Sequence, residues 1–397
     1  MKKLTVKDIE TEDKKVLVRV DFNVPIDERT GEIADDSRIR AALPTINYLI
    51  EGGARIILCS HLGRPGGKVV EGLRMGPIAE RLEEMLGRKV KYCRYSVGKD
   101  VSEAVSGMRA GDVLLLENIR FLEGEKKNDA ELARELASFA DVYVNDAFGT
   151  SHRSHASIEA ITRHLPSVAG LLLEREIEAL GGIIESPEHP FATLLGGAKV
   201  SDKVGIIDNI MDKVDYILIG GGMAATFLKA KSLNVGQSIV EKDKLDVALS
   251  LMEKAERSNV RMMFPVDVMV AGEISREAKA EVEAVEKIGD ERQIVDIGPR
   301  TIRAFENTLH KCRTVFWNGP MGVYEIPQFA SGTRAMASTL AEIDATTVIG
   351  GGSTADMVAE MGLEGKMSFV STGGGASLEF IGGEKLPGIE ALPDKES

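Results

Sequence analysis

The stretch Ala192-Thr193-Leu194-Leu195-Gly196-Gly197-Ala198-Lys199-Val200-Ser201-Asp202-Lys203 reads as a short apolar strand, a glycine turn and the opening of a helix. An unbroken apolar run, rather than an alternating one, suits a strand covered on both faces. A glycine turn lets the backbone approach a ligand closely, and the free N–H groups and dipole of a helix start favour an anion there. Helical spacing puts Lys199 and Lys203 on one face, where an anion between or beside them relieves their repulsion.

Outward from this stretch the same unit recurs. Upstream, strands are expected at Val16–Val20, Arg55–Leu58, Asp112–Leu116 and Asp141–Val144. A second series covers Ala192–Leu195, Tyr216–Ile219, Arg261–Phe264, Thr314–Trp317, Thr347–Ile349 and Ser368–Val370. Helical patterns such as Arg40–Glu51, Pro77–Leu86, Asp129–Phe139 and Lys242–Ser258 lie between them. Repeated strand–helix–strand predicts an α/β fold of two doubly wound, Rossmann-like parallel-sheet domains, and the helical segment Pro166–Leu180 is placed to join them as a hinge.

The residues just after each strand differ between the halves. The first series runs into Asp21-Phe22-Asn23, His61-Leu62-Gly63-Arg64, Glu117-Asn118-Ile119-Arg120 and Asn145-Asp146. The second runs into Gly196-Gly197, Gly220-Gly221-Gly222, Gly350-Gly351-Gly352 and Gly373-Gly374-Gly375. Loops at the carboxyl ends of parallel strands line the ligand crevice in such folds. Each half is therefore expected to hold its own site, with different chemistry.

Composition limits the ligands. The chain has 397 residues, 43% of them apolar, enough for two or three domains with real cores. A net charge of −13 argues against nucleic acid but not against a small anion held by a local positive cluster. Cys59, Cys93 and Cys312 are far apart and lack zinc spacing, as expected of buried thiols in a cytoplasmic protein. The N-terminal residues show no signal peptide, and no apolar run is long enough to span a bilayer, so no membrane partner is expected.

In the glycine-rich half Walker A is absent: Lys68, Lys99 and Lys366 follow glycine, but none precedes Ser or Thr. No GxGxxG opens a helix, which disfavours a nicotinamide dehydrogenase. One such turn is only a tight turn; several after successive strands point to a nucleotide. Trp317-Asn318-Gly319-Pro320-Met321-Gly322-Val323-Tyr324-Glu325 is a rigid loop after a strand, from which Glu325 can accept from ribose hydroxyls. In the other half Arg38, His61, Arg64, Arg120, His152 and Arg153 fall at strand ends or in loops. Singly, each arginine is a surface ion-pair partner and each histidine a hydrogen-bonded structural residue; together their forks suit phosphate and carboxylate. Asp21 and Asn23 are placed to take a hydroxyl of the same ligand.

These motifs taken in order resemble the phosphoglycerate kinase family over essentially the whole chain. The matching stretches are Val18–Pro25, Ser60–Pro65, Glu117–Phe121, Asn145–Thr150 with His152-Arg153, Leu195–Lys203 and Trp317–Glu325. The resemblance implies a 3-phosphoglycerate-binding domain at 1–165, an interdomain helix at 166–180, a nucleotide-binding domain at 181–380 and a terminal segment, 381–397, returning to the first domain. It implies that Asp21 and Asn23 hold the hydroxyl and carboxylate end of the substrate. His61, Arg64, Arg120 and Arg153 would bind its phosphate, with Arg38 beside the reacting carboxylate. Magnesium-bound ATP or ADP would lie on Gly197, Lys203, Asn318, Glu325 and the Gly350–Gly352 turn with Ser353. Lys199 and the N–H groups of Gly373, Gly374 and Gly375 would face the transferred group. Many family members carry Asp where this chain has Ser353, and a neutral hydroxyl is a weaker magnesium ligand than a carboxylate. An already ionised carboxylate acceptor needs no general base, so catalysis is expected to rest on in-line positioning, charge stabilisation and domain closure.

Overall fold

The computed structural model describes residues 2–27 and 29–395. Strands β1 (Lys15–Arg19), β2 (Arg55–Cys59), β3 (Val90–Tyr92), β4 (Val113–Leu115), β5 (Val142–Asn145) and β6 (Ser167–Ala169) form the first sheet. Their order is β3-β4-β2-β1-β5-β6, and every pairing is parallel. The strands are short and almost wholly buried because helices cover both faces: one core layer gathers Val16, Val18, Ile56 and Leu58, the other Leu17, Ile57, Leu114 and Tyr143. Alternate residues of one strand thus feed opposite cores, which is why the strands read as continuous apolar runs.

The second series is β7 (Phe191–Leu195), β8 (Tyr216–Ile219), β9 (Arg261–Met263), β10 (Asp267–Ala271), β11 (Glu281–Ala284), β12 (Gln293–Ile297), β13 (Thr314–Asn318), β14 (Thr346–Gly350) and β15 (Phe369–Val370). A second all-parallel sheet takes the order β15-β14-β13-β7-β8-β9, and β11-β10-β12 make a separate antiparallel sheet. The α/β, doubly wound fold is as expected; the antiparallel sheet is an addition.

The chain divides into two compact units, one running to Glu178 and resumed from Lys385, the other Ala179–Glu384. The segment read as helical from Pro166 starts differently: Ser167–Ala169 is an edge strand on β5, and the helix is Leu171–Glu185. The N–H groups of Leu172 and Leu173 are taken by Asp146 Oδ1 at 2.9 and 3.2 Å, which fixes where that helix begins. A Cβ on Gly170 would fall 2.1 Å from the same oxygen, so only glycine fits there. Past Lys385 the chain packs on the first unit: Leu4 N–H donates to Pro393 O at 3.0 Å, and Gly388 N–H to Ser151 O at 2.8 Å.

Candidate active site

In each parallel sheet the chain leaves a central strand in one direction and later returns on its other side. The reversal falls between β1 and β5 in the first unit and between β7 and β13 in the second. Crevices at the carboxyl ends of such strand pairs are where ligands bind in open α/β sheets. Several of the predicted residues lie in loops at or near these two places.

In the first unit Asp21 follows β1. Arg38 Nη1 donates to Asp21 Oδ2 at 2.6 Å, the arginine side chain being 33% exposed and the aspartate 10%. Arg38 is not in a loop: it lies in the first turn of the helix Ser37–Glu51, which begins earlier than the apolar pattern shows. Burial pushes the Asp21 carboxyl up, but the charges of Arg38 and Arg19 more than offset this and hold it below the usual carboxylate range. Asn23 is oriented by its own amide, whose Oδ1 accepts from Gly63 N–H at 2.8 Å. His61 is buried, its Nδ1 3.9 Å from Asp21 Oδ1. Arg120 donates to Gly63 O at 2.9 Å, while its Nε is buried without a partner. Burial, and then the like charges of Arg19 and Arg153, lower its pKa to about 10. A guanidinium so desolvated and crowded is one that an incoming anion would relieve.

Asp21, Asn23, Arg38, His61, Arg120 and Arg153 are thus brought to one end of one sheet. Arg64 stands exposed beside Gly63, tied to none of them among the described residues. His152 is half-buried; burial, then the charge of Arg153, lowers its pKa to about 4, and its Nδ1 has no partner. Glu117 supports the cluster from outside: it accepts from Arg74 at 2.7 Å, from Tyr92 at 2.6 Å and from Met75 N–H at 3.0 Å. Sequence reasoning misses Arg19, a fully buried arginine inside β1 that donates to His61 Nδ1 at 3.2 Å. A cation set between the valines Val18 and Val20, at the buried end of an apolar run, is the signal that points to it.

In the second unit the glycines are of two kinds. At Gly196, Gly221 and Gly319 an added Cβ would come within 2.1, 2.6 and 2.4 Å of neighbouring backbone, so these residues let three loops touch. At Gly197, Gly352, Gly374 and Gly375 it would meet nothing within 4 Å, so there the bare backbone faces open space. Only the second kind leaves room for a ligand against the chain. Gly197, Gly351 and Gly374 have φ of 91°, 88° and 52°, which an L side chain rarely adopts.

The lysines need correction. The helix after this turn is Val204–Ile210, so Lys199 and Lys203 precede it and do not share a helical face. Lys199 is exposed, whereas Lys203 is 7% exposed. Lys203 Nζ donates to Asn318 Oδ1, and Asn318 Nδ2 donates to Gly350 O at 2.7 Å. This chain of bonds ties the ends of β13 and β14 to the turn after β7. Burial lowers the Lys203 pKa. Gly319 N–H donates to Thr354 Oγ1 at 2.8 Å, another support that sequence reasoning misses. Glu325 is exposed at the outer end of its loop.

The residues here do not assemble a metal site of their own. Among the described residues no group of three or more His, Cys, Asp or Glu is placed to hold an ion. Ser353, in the first turn of the helix Gly352–Glu360, lies near Tyr324. No helix among the described residues is long and apolar enough to cross a membrane.

The chain is similar over its length to known proteins. The family model described as phosphoglycerate kinase matches residues 6–384. The phosphoglycerate kinase of Moorella thermoacetica is 52% identical over 100% of both chains, and that of Pelotomaculum thermopropionicum 53% over 100% of both. Among solved structures, the phosphoglycerate kinase of Coxiella burnetii superposes with a TM-score of 0.89 at 40% identity, covering 98% of each chain. The enzyme of Pyrococcus horikoshii OT3 gives 0.87 at 34% identity, again over 98% of each. A match of this length means that the chain belongs to the phosphoglycerate kinase family.

Proposed function

We propose that this chain transfers a phosphoryl group reversibly between ATP and the carboxylate of 3-phosphoglycerate, giving ADP and 1,3-bisphosphoglycerate. The observation that carries this reading is the contrast between the two switch points. One presents arginines and a histidine, the other bare glycine backbone beside a buried lysine.

The first unit takes the phosphoglycerate. His61, Arg64, Arg120 and Arg153 bind its phosphate, Asp21 and Asn23 its hydroxyl end, and Arg38 stands by the carboxylate. Because Arg38 is paired with Asp21 here, substrate binding exchanges part of that pair for the substrate's own carboxylate. The second unit takes the nucleotide. Gly197, Gly350, Gly351 and Gly352 with Ser353 admit the phosphates, Lys203 and Asn318 hold them, and Glu325 accepts from the ribose. Lys199, free of the buried network, and the N–H groups of Gly373, Gly374 and Gly375 face the transferred group. No proton has to leave the nucleophile, so the chemistry rests on alignment and on cancelling equatorial charge. Magnesium would arrive on the nucleotide's own phosphates, and the reaction needs the two ligands to meet. The buried, unpaired cysteines accord with a cytoplasmic enzyme of glycolysis and gluconeogenesis.

A coupled assay for ATP-dependent acyl phosphate formation tests the reading. Turnover with 3-phosphoglycerate is expected; no turnover with it, in protein that binds both ligands, would reject the function.

A further inference from the structure

Arg19 is fully buried, yet no carboxylate touches its guanidinium directly among the described residues. Its Nε donates to Ser157 Oγ at 2.9 Å, Nη1 donates to Val20 O, and Nη2 lies 3.2 Å from His61 Nδ1. Ser157 Oγ in turn donates to Glu125 Oε1 at 2.7 Å, and Ser157 N–H donates to Glu125 Oε2 at 2.9 Å. Glu125 is itself fully buried, so its charge answers that of Arg19 through one hydroxyl. Such an arrangement is costly to desolvate and needs every donor placed.

The consequence falls on His61. An arginine has donors only, so the ring atom that meets it must be an acceptor. The carboxylate oxygen Asp21 Oδ1 lies 3.9 Å from Nδ1, too far for a hydrogen bond that would hold a proton there. We propose that Arg19 is a positioning residue that fixes His61 as the neutral tautomer protonated on Nε2, making it an N–H donor for an anion bound beside it. Nε2 takes no partner among the described residues. The charged groups around the ring act in the same sense: burial, then Arg19, Arg120 and Arg38, outweigh Asp21 and hold the imidazole neutral well below its usual pKa. A donor that cannot titrate on and off near neutral pH gives the same bond at every working pH. The anion in question rests on the assignment of His61 to the phosphoglycerate site.

Two-bond proton–nitrogen correlation spectra of the whole protein, with the His61 signals assigned, test this without any ligand. The wild type is expected to show an unprotonated Nδ1 and a protonated Nε2 from pH 6 to 8. A proton on Nδ1, or an imidazolium at pH 7, would overturn the proposal, and this spectrum decides even if no variant folds. Arg19→Met with Glu125→Gln removes both buried charges together. It should populate both tautomers and weaken 3-phosphoglycerate binding about tenfold to a hundredfold, the range for a hydrogen bond to a charged group. A folded double variant that keeps either the single tautomer or wild-type affinity would also overturn it. Wild-type protein with the expected tautomer but no affinity for 3-phosphoglycerate would instead remove the substrate assignment and the donor role built on it, leaving the tautomer in place.

Discussion

Arg38 and Lys203 are both cations in the proposed machinery, but their surroundings set different costs for losing them. Arg38 is one-third exposed and holds Asp21 through one 2.6 Å bond. Arg38→Ala should lower kcat by about a hundredfold or more, the range for removing one stabilising donor at a reacting centre, while each KM changes little. Steady-state kinetics in both substrates checks this; an unchanged kcat with a raised KM for 3-phosphoglycerate would make the residue a ground-state binder. Lys203 is buried and joined to Asn318. Lys203→Ala should weaken ADP binding about tenfold to a hundredfold and leave 3-phosphoglycerate binding intact, measured by calorimetric titration of each ligand. Equal loss for both would make it a structural strut. Ser353→Asp would add a carboxylate beside Tyr324, near the charges of Glu325, Asp356 and Glu360. It should lower the magnesium concentration at which ADP binding is half-maximal, and an unchanged titration would show that the nucleotide supplies all the metal ligation that matters. Arg64 and Arg120 were legible because they stand just after apolar strands, whereas Arg38 opens a helix. The partners that set their states, Ser157 with Glu125 behind Arg19 and Thr354 behind Gly319, lie far off in sequence, where no spacing rule connects them.

At the scale of elements, the start of the helix Leu171–Glu185 is unusual in resting on a buried carboxylate. Burial pushes Asp146 up to about 7, against Thr45 and the N–H groups of Leu173 and Leu172 that pull it down, and its Oδ2 has no partner. Since the folded value lies above that of an unfolded aspartate, the folded chain binds more protons between about pH 4 and 7. The contribution of this group is therefore full below that window and is lost as pH rises through it. Asp146→Asn should cancel the dependence: relative to wild type, the variant's urea midpoint should improve from pH 5 to pH 8. A constant difference between the two would show that the carboxyl does not titrate in that window. Most of the parallel strands were legible because two-sided burial leaves mainly apolar residues in them, but the short parallel strands Val90–Tyr92 and Ser167–Ala169 were not. The antiparallel strands were not. Glu281–Ala284 exposes its first two residues and mixes glutamate with small apolar residues. Lys199–Lys203 looked helical because periodicity sees the helix but not the turns that precede it.

For the molecule as a whole, the course of the chain matters more than any single contact. The unit that runs to Glu178 is resumed from Lys385, after residues 179–384 have formed the other. Leu386, Ile389 and Leu392 are buried, and Asn145 at the end of β5 donates to Gly388 O at 2.9 Å. A Cβ on Gly388 would come within 2.6 Å of Ile158, so the returning segment seats closely. Seen as an order of synthesis, the part that leaves the ribosome first waits for its last pieces until the intervening 206 residues are made, about 10–40 s at ordinary elongation rates. Throughout that interval its apolar seat for Ile389 and Leu392 is open to solvent, chaperones and proteases. Ribosome-bound chains stalled with residue 384 just outside the exit tunnel should thus be cut within residues 2–178 faster than chains stalled a full tunnel length beyond residue 395. Equal cleavage would mean that the first unit closes on its own, and that the returning segment only fastens what synthesis has already finished.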